Sequence, residues 1–199
     1  MCNRRLSLLL ILLLGACRSQ LPMPPIPATG GESFTLRVDR PPTHFLQTDP
    51  RWANETVGGS EEAVASVGCT LCSLAMALNR VGVELDPATL NSALKAHHGY
   101  NERGWLLWSA VTPASGNRAR AHYYSRFDHG TIDQAMRDRC LPVVKFFLPG
   151  GVSHWVVVVG KSGTDYLVRD PLDEAGVPVA LSKLTAEIHG LRCVERQQQ

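Results

Sequence analysis

Cys69 has the sequence surroundings of a reactive thiol. It follows Gly68 and opens a stretch, 69–81, whose apolar residues recur with the spacing of one helix face. At a helix N-terminus, unpaired backbone N–H groups and the positive end of the helix dipole lower a cysteine pKa below its usual value of about 8.5. The thiolate is the nucleophilic form, so Cys69 is the candidate nucleophile, although an isolated cysteine at a helix start is more often structural.

A histidine lies where a general base would be held rigidly. His154 follows the glycine-rich segment 150–153 and leads into Trp155–Val159, an apolar run that predicts a buried strand. A side chain at the mouth of such a strand is fixed in place yet close to an open edge. This position makes His154 the candidate general base.

Asp170 is the candidate for orienting that histidine. If 161–163 forms a three-residue turn with its glycine in left-handed geometry, the flanking strands pair so that His154 faces Asp170. Directly opposed residues have Cβ atoms about 4.5–5.5 Å apart, which lets the carboxylate orient the imidazole. A two-residue loop would instead place Pro171 opposite, so this prediction depends on the turn.

The pattern of elements around these residues predicts an α+β fold. Helical patterns come first and strand patterns follow, which favours an antiparallel sheet over a doubly wound one. The predicted helices are 69–81, one that starts at Asp86 with Pro87 in its first position, 131–138 and 182–189, and the predicted strands are 34–38, 141–148, 155–159, 166–169 and 177–180.

The N-terminus predicts export and lipid attachment. Two arginines precede Leu6–Leu14, an apolar run that is too short to span a bilayer, which needs about 20 residues, and is typical of a signal peptide. Leu14–Cys17 then resembles a lipobox, in which the cysteine is acylated and becomes the new N-terminus. We therefore expect a bacterial lipoprotein of the cell envelope with a signal peptide at 1–16, a tether rich in proline and glycine at 17–44 and one globular domain at 45–196. In an organism with two membranes, Arg18 after the cysteine favours the outer membrane.

The charge balance gives no support for nucleic-acid binding. The chain of 199 residues has 20 Lys and Arg against 18 Asp and Glu, and loss of the signal peptide removes two arginines and no acid. A neutral chain without a basic run lacks the electrostatic footprint of a nucleic-acid-binding protein. The expected partners are a peptide or protein substrate and, through the N-terminal lipid, a membrane.

The remaining cysteines predict one disulfide. Unpaired thiols are unusual in an oxidising compartment. Cys69 must stay free as the nucleophile, and Cys72 lies one turn along the same helix and points inward, which leaves Cys140 and Cys193 as the expected pair. The cysteine spacing matches no common zinc site, and we expect neither a metal nor a cofactor.

Four segments keep the order of the motifs of one family: Gln47–Ala53, Val67–Asn79, His154–Gly160 and Tyr166–Pro171. Together, over about residues 45–171, they are similar to the bacteriocin-processing (double-glycine) peptidases and their stand-alone relatives. The resemblance implies a papain-like cysteine peptidase fold. It also implies Cys69 as nucleophile, His154 as general base and acid, and Asp170 as the residue that orients the histidine.

The resemblance further implies that Gln47 donates its amide to the oxyanion beside the Cys69 backbone N–H. In the leader-cleaving branch the glutamine lies only a handful of residues before the cysteine, and 63–68 contains none. The stand-alone branch has a more distant glutamine in a Gln-x-Asp-x-x-Trp setting, which 47–52 matches. The expected function is an exported thiol hydrolase that cleaves a peptide or other amide, without evident leader-peptide specificity.

Two other functions remain open. Cys69 and Cys72 have the spacing of a thiol–disulfide oxidoreductase, but that motif requires a strand immediately upstream, and 61–68 has no strong strand pattern. The second is a peptide-binding module that has kept the fold and lost its activity. The presence of all the proposed catalytic residues argues against the inactive module.

Overall fold

The computed structural model describes residues 23–37 and 43–197 as an α+β domain. Cys17 and the predicted signal peptide lie outside these residues. In the described ranges every helix is too short or too polar to cross a bilayer. The helices are α1 (Val64–Val67), α2 (Cys69–Arg80), α3 (Pro87–Ala96), α4 (Val111–Ala114) and α5 (His129–Arg137), with 3₁₀ turns at Trp108–Ala110 and Leu181–Lys183. The strands are β1 (Ile26–Pro27), β2 (Thr29–Arg37), β3 (Ala119–Tyr124), β4 (Leu141–Phe147), β5 (Ser153–Arg169), β6 (Val179–Ala180), β7 (Glu187–Ile188) and β8 (Gly190–Arg196).

Six strands form one antiparallel sheet that is covered on both faces. Its order is β2-β5-β4-β8-β3, and β6 pairs with β5. Helices α2, α3 and α4 pack on one face and α5 packs on the other. Along β4, Val143 faces α2 and Val144 faces the α5 side, as the two-residue period of a doubly covered strand requires.

Helix α2 lies at the centre of the domain. Nine of its 12 residues are buried, so it is enclosed on nearly all sides, whereas the sequence pattern predicted one apolar face. Ser73 is buried in the contact with the sheet, and its hydroxyl donates to the Trp155 carbonyl at 2.9 Å. This bond fixes the helix that begins with Cys69 against the start of β5.

Local signals determine helix α3 as predicted. The Asp86 side chain accepts a hydrogen bond from the Thr89 backbone N–H at 2.7 Å, and Pro87 occupies the first helical position. A carboxylate cap satisfies one of the unpaired N–H groups at a helix start, and proline there has no N–H to satisfy.

Strand β5 contains the chain reversal that brings His154 to Asp170. Strand-type backbone runs through the predicted turn, 161–163, which pairs with β2. A straight strand of this length would separate its ends by about 50 Å at ~3.3 Å per residue. The two side chains are nevertheless in contact, at 2.7 Å, so the chain folds back within β5. Gly163 is the one residue of β5 with a positive φ, +63°, at the position where the sequence predicts left-handed geometry.

Part of the predicted tether forms strands of the domain. β2 pairs with β5, and a buried ion pair holds it there: Lys161 Nζ lies 2.6 Å from Asp133 Oδ1 and donates to the Gly30 carbonyl at 2.9 Å. The other carboxylate oxygen of Asp133 accepts from the Glu32 backbone N–H at 2.9 Å. Residues 26–37 therefore belong to the folded unit, although their sequence is rich in glycine and proline.

Three other elements differ from the sequence prediction. The helix predicted at 182–189 is wrong, because the chain there forms a 3₁₀ turn and then β7, in which Ile188 pairs with Ile26 of β1. Strands β3 and β8 were not predicted. They pair with each other from Ala119–Arg196 to Tyr124–Leu191, and neither contains a long apolar run of the kind that predicts a buried strand.

Cys140 and Cys193 form the predicted disulfide. Their Cα atoms lie 5.6 Å apart, and Pro142, two residues after Cys140, pairs with Cys193 where β4 meets β8. The bond joins residues 53 positions apart. A crosslink over a loop of this length restricts the unfolded chain and stabilises a protein by roughly 2–4 kcal/mol.

We expect a Cys140→Ala/Cys193→Ala variant to melt about 5–15 °C below the wild type, since roughly 2–4 °C is lost per kcal/mol in a domain of this size. Thermal unfolding followed by circular dichroism measures the difference. Adding a reducing agent should lower the melting temperature of the wild type and leave that of the double variant unchanged. Equal melting temperatures for the two oxidised proteins would show that the disulfide does not stabilise the fold.

Candidate active site

Cys69 lies at the junction of α2 and the sheet. It is the first residue of α2, preceded by Gly68, and its side chain is 8% exposed. Its sulfur lies 3.9 Å from Thr70 Oγ1 and 4.0 Å from the Ser153 carbonyl oxygen, immediately before His154. The helix N-terminus and the start of β5 therefore meet at this thiol.

His154 and Asp170 form a buried pair beside it. His154 Nε2 lies 2.7 Å from Asp170 Oδ1, and the same oxygen accepts the Leu172 backbone N–H at 2.8 Å. The Phe146 ring packs edge-on against the imidazole with centroids 5.3 Å apart. These contacts hold the ring at both its polar and its apolar edge, and they leave Nδ1 as the nitrogen free to serve Cys69.

The pKa values of this pair shift in opposite directions. Burial by itself raises the pKa of Cys69, but the hydrogen bond and charge of His154 outweigh it and hold the pKa below its ordinary value. Burial by itself lowers the pKa of His154, but the hydrogen bonds to Asp170 and Cys69 outweigh it and raise the pKa to about 9. Both shifts favour a thiolate–imidazolium pair near neutral pH.

Gln47 connects the two halves of the site. Its backbone N–H donates to the Pro171 carbonyl at 3.0 Å, next to Asp170, and its side-chain Nε2 donates to the Ala65 carbonyl at 2.8 Å, four residues before Cys69. The side chain is buried, and its Oε1 has no hydrogen-bond partner among the described residues. One amide hydrogen remains beyond the bond to Ala65, as donation to an oxyanion requires.

The structure thus brings together Cys69, His154 and Asp170, and it places Gln47 against Pro171 and Ala65, the chain neighbours of this group. Sequence reasoning missed Thr70, Ser73 and the backbone of Trp155, which helps to lower the pKa of Cys69. No motif marks these contacts, because they arise only when α2 packs on β5.

Comparison with known proteins identifies the fold. No protein-family model matches the sequence, and neither does any curated protein. Among solved structures, the chain is similar to one described as a "putative C39-like peptidase from Bacillus anthracis", at 16% sequence identity and a TM-score of 0.51, over 83% of this chain and 100% of that one. The chain has a papain-like α+β fold. At this level of identity the likeness shows the fold alone, and it agrees with the architecture implied by the four sequence motifs.

One cluster in the described part of the chain has the side chains of a metal site. The ligand atoms of His122, Cys140 and Glu195 lie within 4.8 Å of one another, beside a cavity of about 330 Å³. Cys140 is bonded to Cys193, and the Glu195 carboxylate lies 3.0 Å from His122 Nε2. A metal binds cysteine as the free thiolate, so the sulfur of Cys140 is not available as a ligand while it is bonded to Cys193. Cys69, His154, Asp170 and Gln47 do not line this cavity.

Asp170→Asn should narrow the pH range of activity from its alkaline side. The Asp170 hydrogen bond is the largest of the contacts that raise the His154 pKa, so its loss should lower the upper limit from about 9, by about one unit or more. The pH profile of kcat/KM measures the limit. Asp173→Asn removes a nearby carboxylate that caps its own loop, and it should leave the profile in place. An unchanged alkaline limit in Asp170→Asn would contradict the assigned role.

Proposed function

We propose that this chain is an exported, lipid-anchored thiol hydrolase that cleaves a peptide or other amide bond. The observation that carries the proposal is the line of contacts from Asp170 through His154 to a thiol at the N-terminus of a buried helix. A peptidase fold in the structural neighbour supports it. Neither a metal nor a cofactor enters the proposed reaction.

Each step of the proposed reaction uses a group of the site. The Cys69 thiolate attacks the carbonyl carbon, and the C=O electron pair moves to the oxygen. The Cys69 backbone N–H and the Gln47 amide donate to this oxyanion. His154 gives the Nδ1 proton to the leaving nitrogen, the C–N bond breaks and an acyl-enzyme remains. His154 then takes a proton from water, whose oxygen attacks the thioester; the C–S bond breaks, and the acid and the Cys69 thiolate are released beside the protonated His154.

The surroundings of Cys72 argue against thiol–disulfide exchange. Cys69 and Cys72 are both free thiols, and burial strongly raises the pKa of Cys72. A second redox cysteine must ionise to attack a mixed disulfide. The element before Cys69 is the helix α1, and not the strand that a redox motif of this spacing follows.

The proposal is tested by comparing cleavage products across an envelope proteome. Mature wild-type protein and the Cys69→Ala variant are added separately, and the new peptide N-termini are identified by mass spectrometry. We expect a set of cleavages that is present with the wild type and absent with the variant. If no cleavage depends on Cys69 in a folded wild-type protein, the chain is a peptide-binding module of the same fold and the proposal is wrong.

Cys17→Ser should release the protein from the membrane or leave its signal peptide uncut. The reason is that one acyl chain holds a protein only marginally, so firm attachment requires the multiply acylated cysteine that a lipobox provides. Fractionation and the mass of the mature N-terminus measure the outcome, and Cys2→Ser, within the predicted signal peptide, is the control. A Cys17→Ser protein that is processed normally and fractionates with the membrane would disprove the lipid anchor.

A further inference from the structure

Two cations lie side by side on the face of the sheet that carries Cys69. Lys145 on β4 pairs with Trp155 on β5, and Arg192 on β8 pairs with Val143, two residues before Lys145. Trp155 and Val143 belong to the core that contains α2, which sets the face. Residues i and i+2 of one strand share a face, so both cations point toward the α2 side.

These cations are close to the proposed nucleophile. The Ser153 carbonyl oxygen lies 4.0 Å from the Cys69 sulfur, and Lys145 lies directly across the sheet from Trp155, two residues further along β5. Neighbouring strands are about 4.8 Å apart, so the Lys145 backbone lies on the order of 10 Å from the sulfur.

Neither cation has an acidic partner. Among the residues that the structure describes, no ion pair includes Lys145 or Arg192. Arg192 donates to its neighbouring Leu191 carbonyl at 2.7 Å, and its buried Nε has no partner. Burial and then the charge of Arg192 lower the pKa of Lys145. Like charges held this close repel each other, and an anion between them would relieve the repulsion.

Aromatic rings fix the arginine and leave an accessible edge. The guanidinium carbon lies 3.7 Å from the Tyr123 ring centroid, 5.3 Å from that of Trp155 and 5.7 Å from that of Trp108. Such stacking keeps a guanidinium in one orientation, and the N–H groups that are not bonded to the Leu191 carbonyl can still donate. Tyr123 is 67% exposed, so solvent and ligands can reach this side of the cluster.

We propose that Lys145 and Arg192 bind a carboxylate of the substrate, so that the Cys69 site acts on acidic peptides. This inference rests on the proposed function and adds a substrate class to it. The carboxylate comes from a Glu or Asp side chain or from a peptide C-terminus, which have the same charge and the same bidentate geometry toward arginine.

Haloacetyl peptides that alkylate Cys69 test the charge preference without a known substrate. The probes are bromoacetyl-Glu-NH₂, bromoacetyl-Gln-OH and the neutral bromoacetyl-Gln-NH₂, each also made with one or two glycines after the bromoacetyl group. The first carries a side-chain carboxylate and the second a terminal one. We expect at least one acidic probe to alkylate Cys69 about five- to tenfold faster than its neutral match, which is the effect of one or two partly exposed ion pairs. This rate ratio should decrease at high salt, because salt screens the charges.

Lys145→Gln should remove most of this preference, so that the acidic and neutral probes alkylate Cys69 at similar rates in the variant. Lys183→Gln, at an exposed lysine on the 3₁₀ turn after β6, is the matched control and should keep the preference. Arg192→Gln provides a second variant, provided that its melting temperature is that of the wild type. No acidic preference at any spacer length, or a preference that survives Lys145→Gln, would overturn the inference. Failure of the proposed function would be a separate result: the neutral probe would then alkylate Cys69 no faster than it alkylates a simple thiol.

Discussion

Cys69→Ala should lower kcat/KM on any substrate of this protein by about 10⁴-fold or more, since removing the nucleophile of a catalytic unit leaves only binding and oxyanion stabilisation. The expected loss is large because Cys69 makes and breaks the covalent bond in the proposed reaction. The fold should be unaffected, because alanine is a better helix former than cysteine and Cys69 is the first residue of α2.

Cys72→Ala is the matched control for this loss. Cys72 is a free thiol three residues along the same helix and is fully buried. Its replacement should lower the melting temperature slightly by leaving a small cavity, and it should retain activity. Steady-state rates of both variants on one peptide from the proteomic comparison measure the contrast. Similar losses in the two variants would assign Cys69 a structural role.

His154→Ala should lower kcat/KM by about 10²–10⁴-fold, the usual contribution of a positioned general acid and base. Two effects combine in this variant. The leaving nitrogen loses its proton donor, and the Cys69 pKa rises because the hydrogen bond and charge that lower it are gone. The activity that remains should therefore increase with pH through the ordinary thiol range.

The pH profile of the wild type should differ in shape from that of the variant. Its activity should reach a plateau near neutral pH and fall as His154 loses its proton at about 9. His97→Ala is the matched histidine control, because His97 is exposed at the C-terminal end of α3 and lies outside the sheet. A His154→Ala variant with the wild-type profile would exclude the ion pair.

Much of the site follows from local sequence. A glycine, a cysteine and an amphipathic run identify Cys69, and the predicted chain reversal at Gly163 anticipates the contact between Asp170 and His154. These inferences depend on turn chemistry and strand periodicity, which act over a few residues. For the same reason, the cap and proline of α3 predict its start.

The rest depends on contacts between distant parts of the chain. β1 belongs to the domain because it pairs with β7, and β2 belongs to it because it pairs with β5. Residues 182–189 do not form a helix, because Ile188 pairs with Ile26. The adjacency of Lys145 and Arg192 likewise requires the β4–β8 register. Packing and pairing override local propensity at such positions, so no window of sequence reveals them.

The most direct test of a thiolate–imidazolium pair is the rate of Cys69 alkylation by iodoacetamide as a function of pH. Native protein is treated with iodoacetamide at pH values from about 5 to about 10, a range that covers the ionisation of an ordinary thiol. The modified residue is identified by mass spectrometry. A free cysteine peptide is the reference. Cys69 should already react near its plateau rate at neutral pH, well below the range in which the reference ionises, and the shift should vanish in His154→Ala. A Cys69 rate that rises with pH in parallel with the reference peptide would contradict the account.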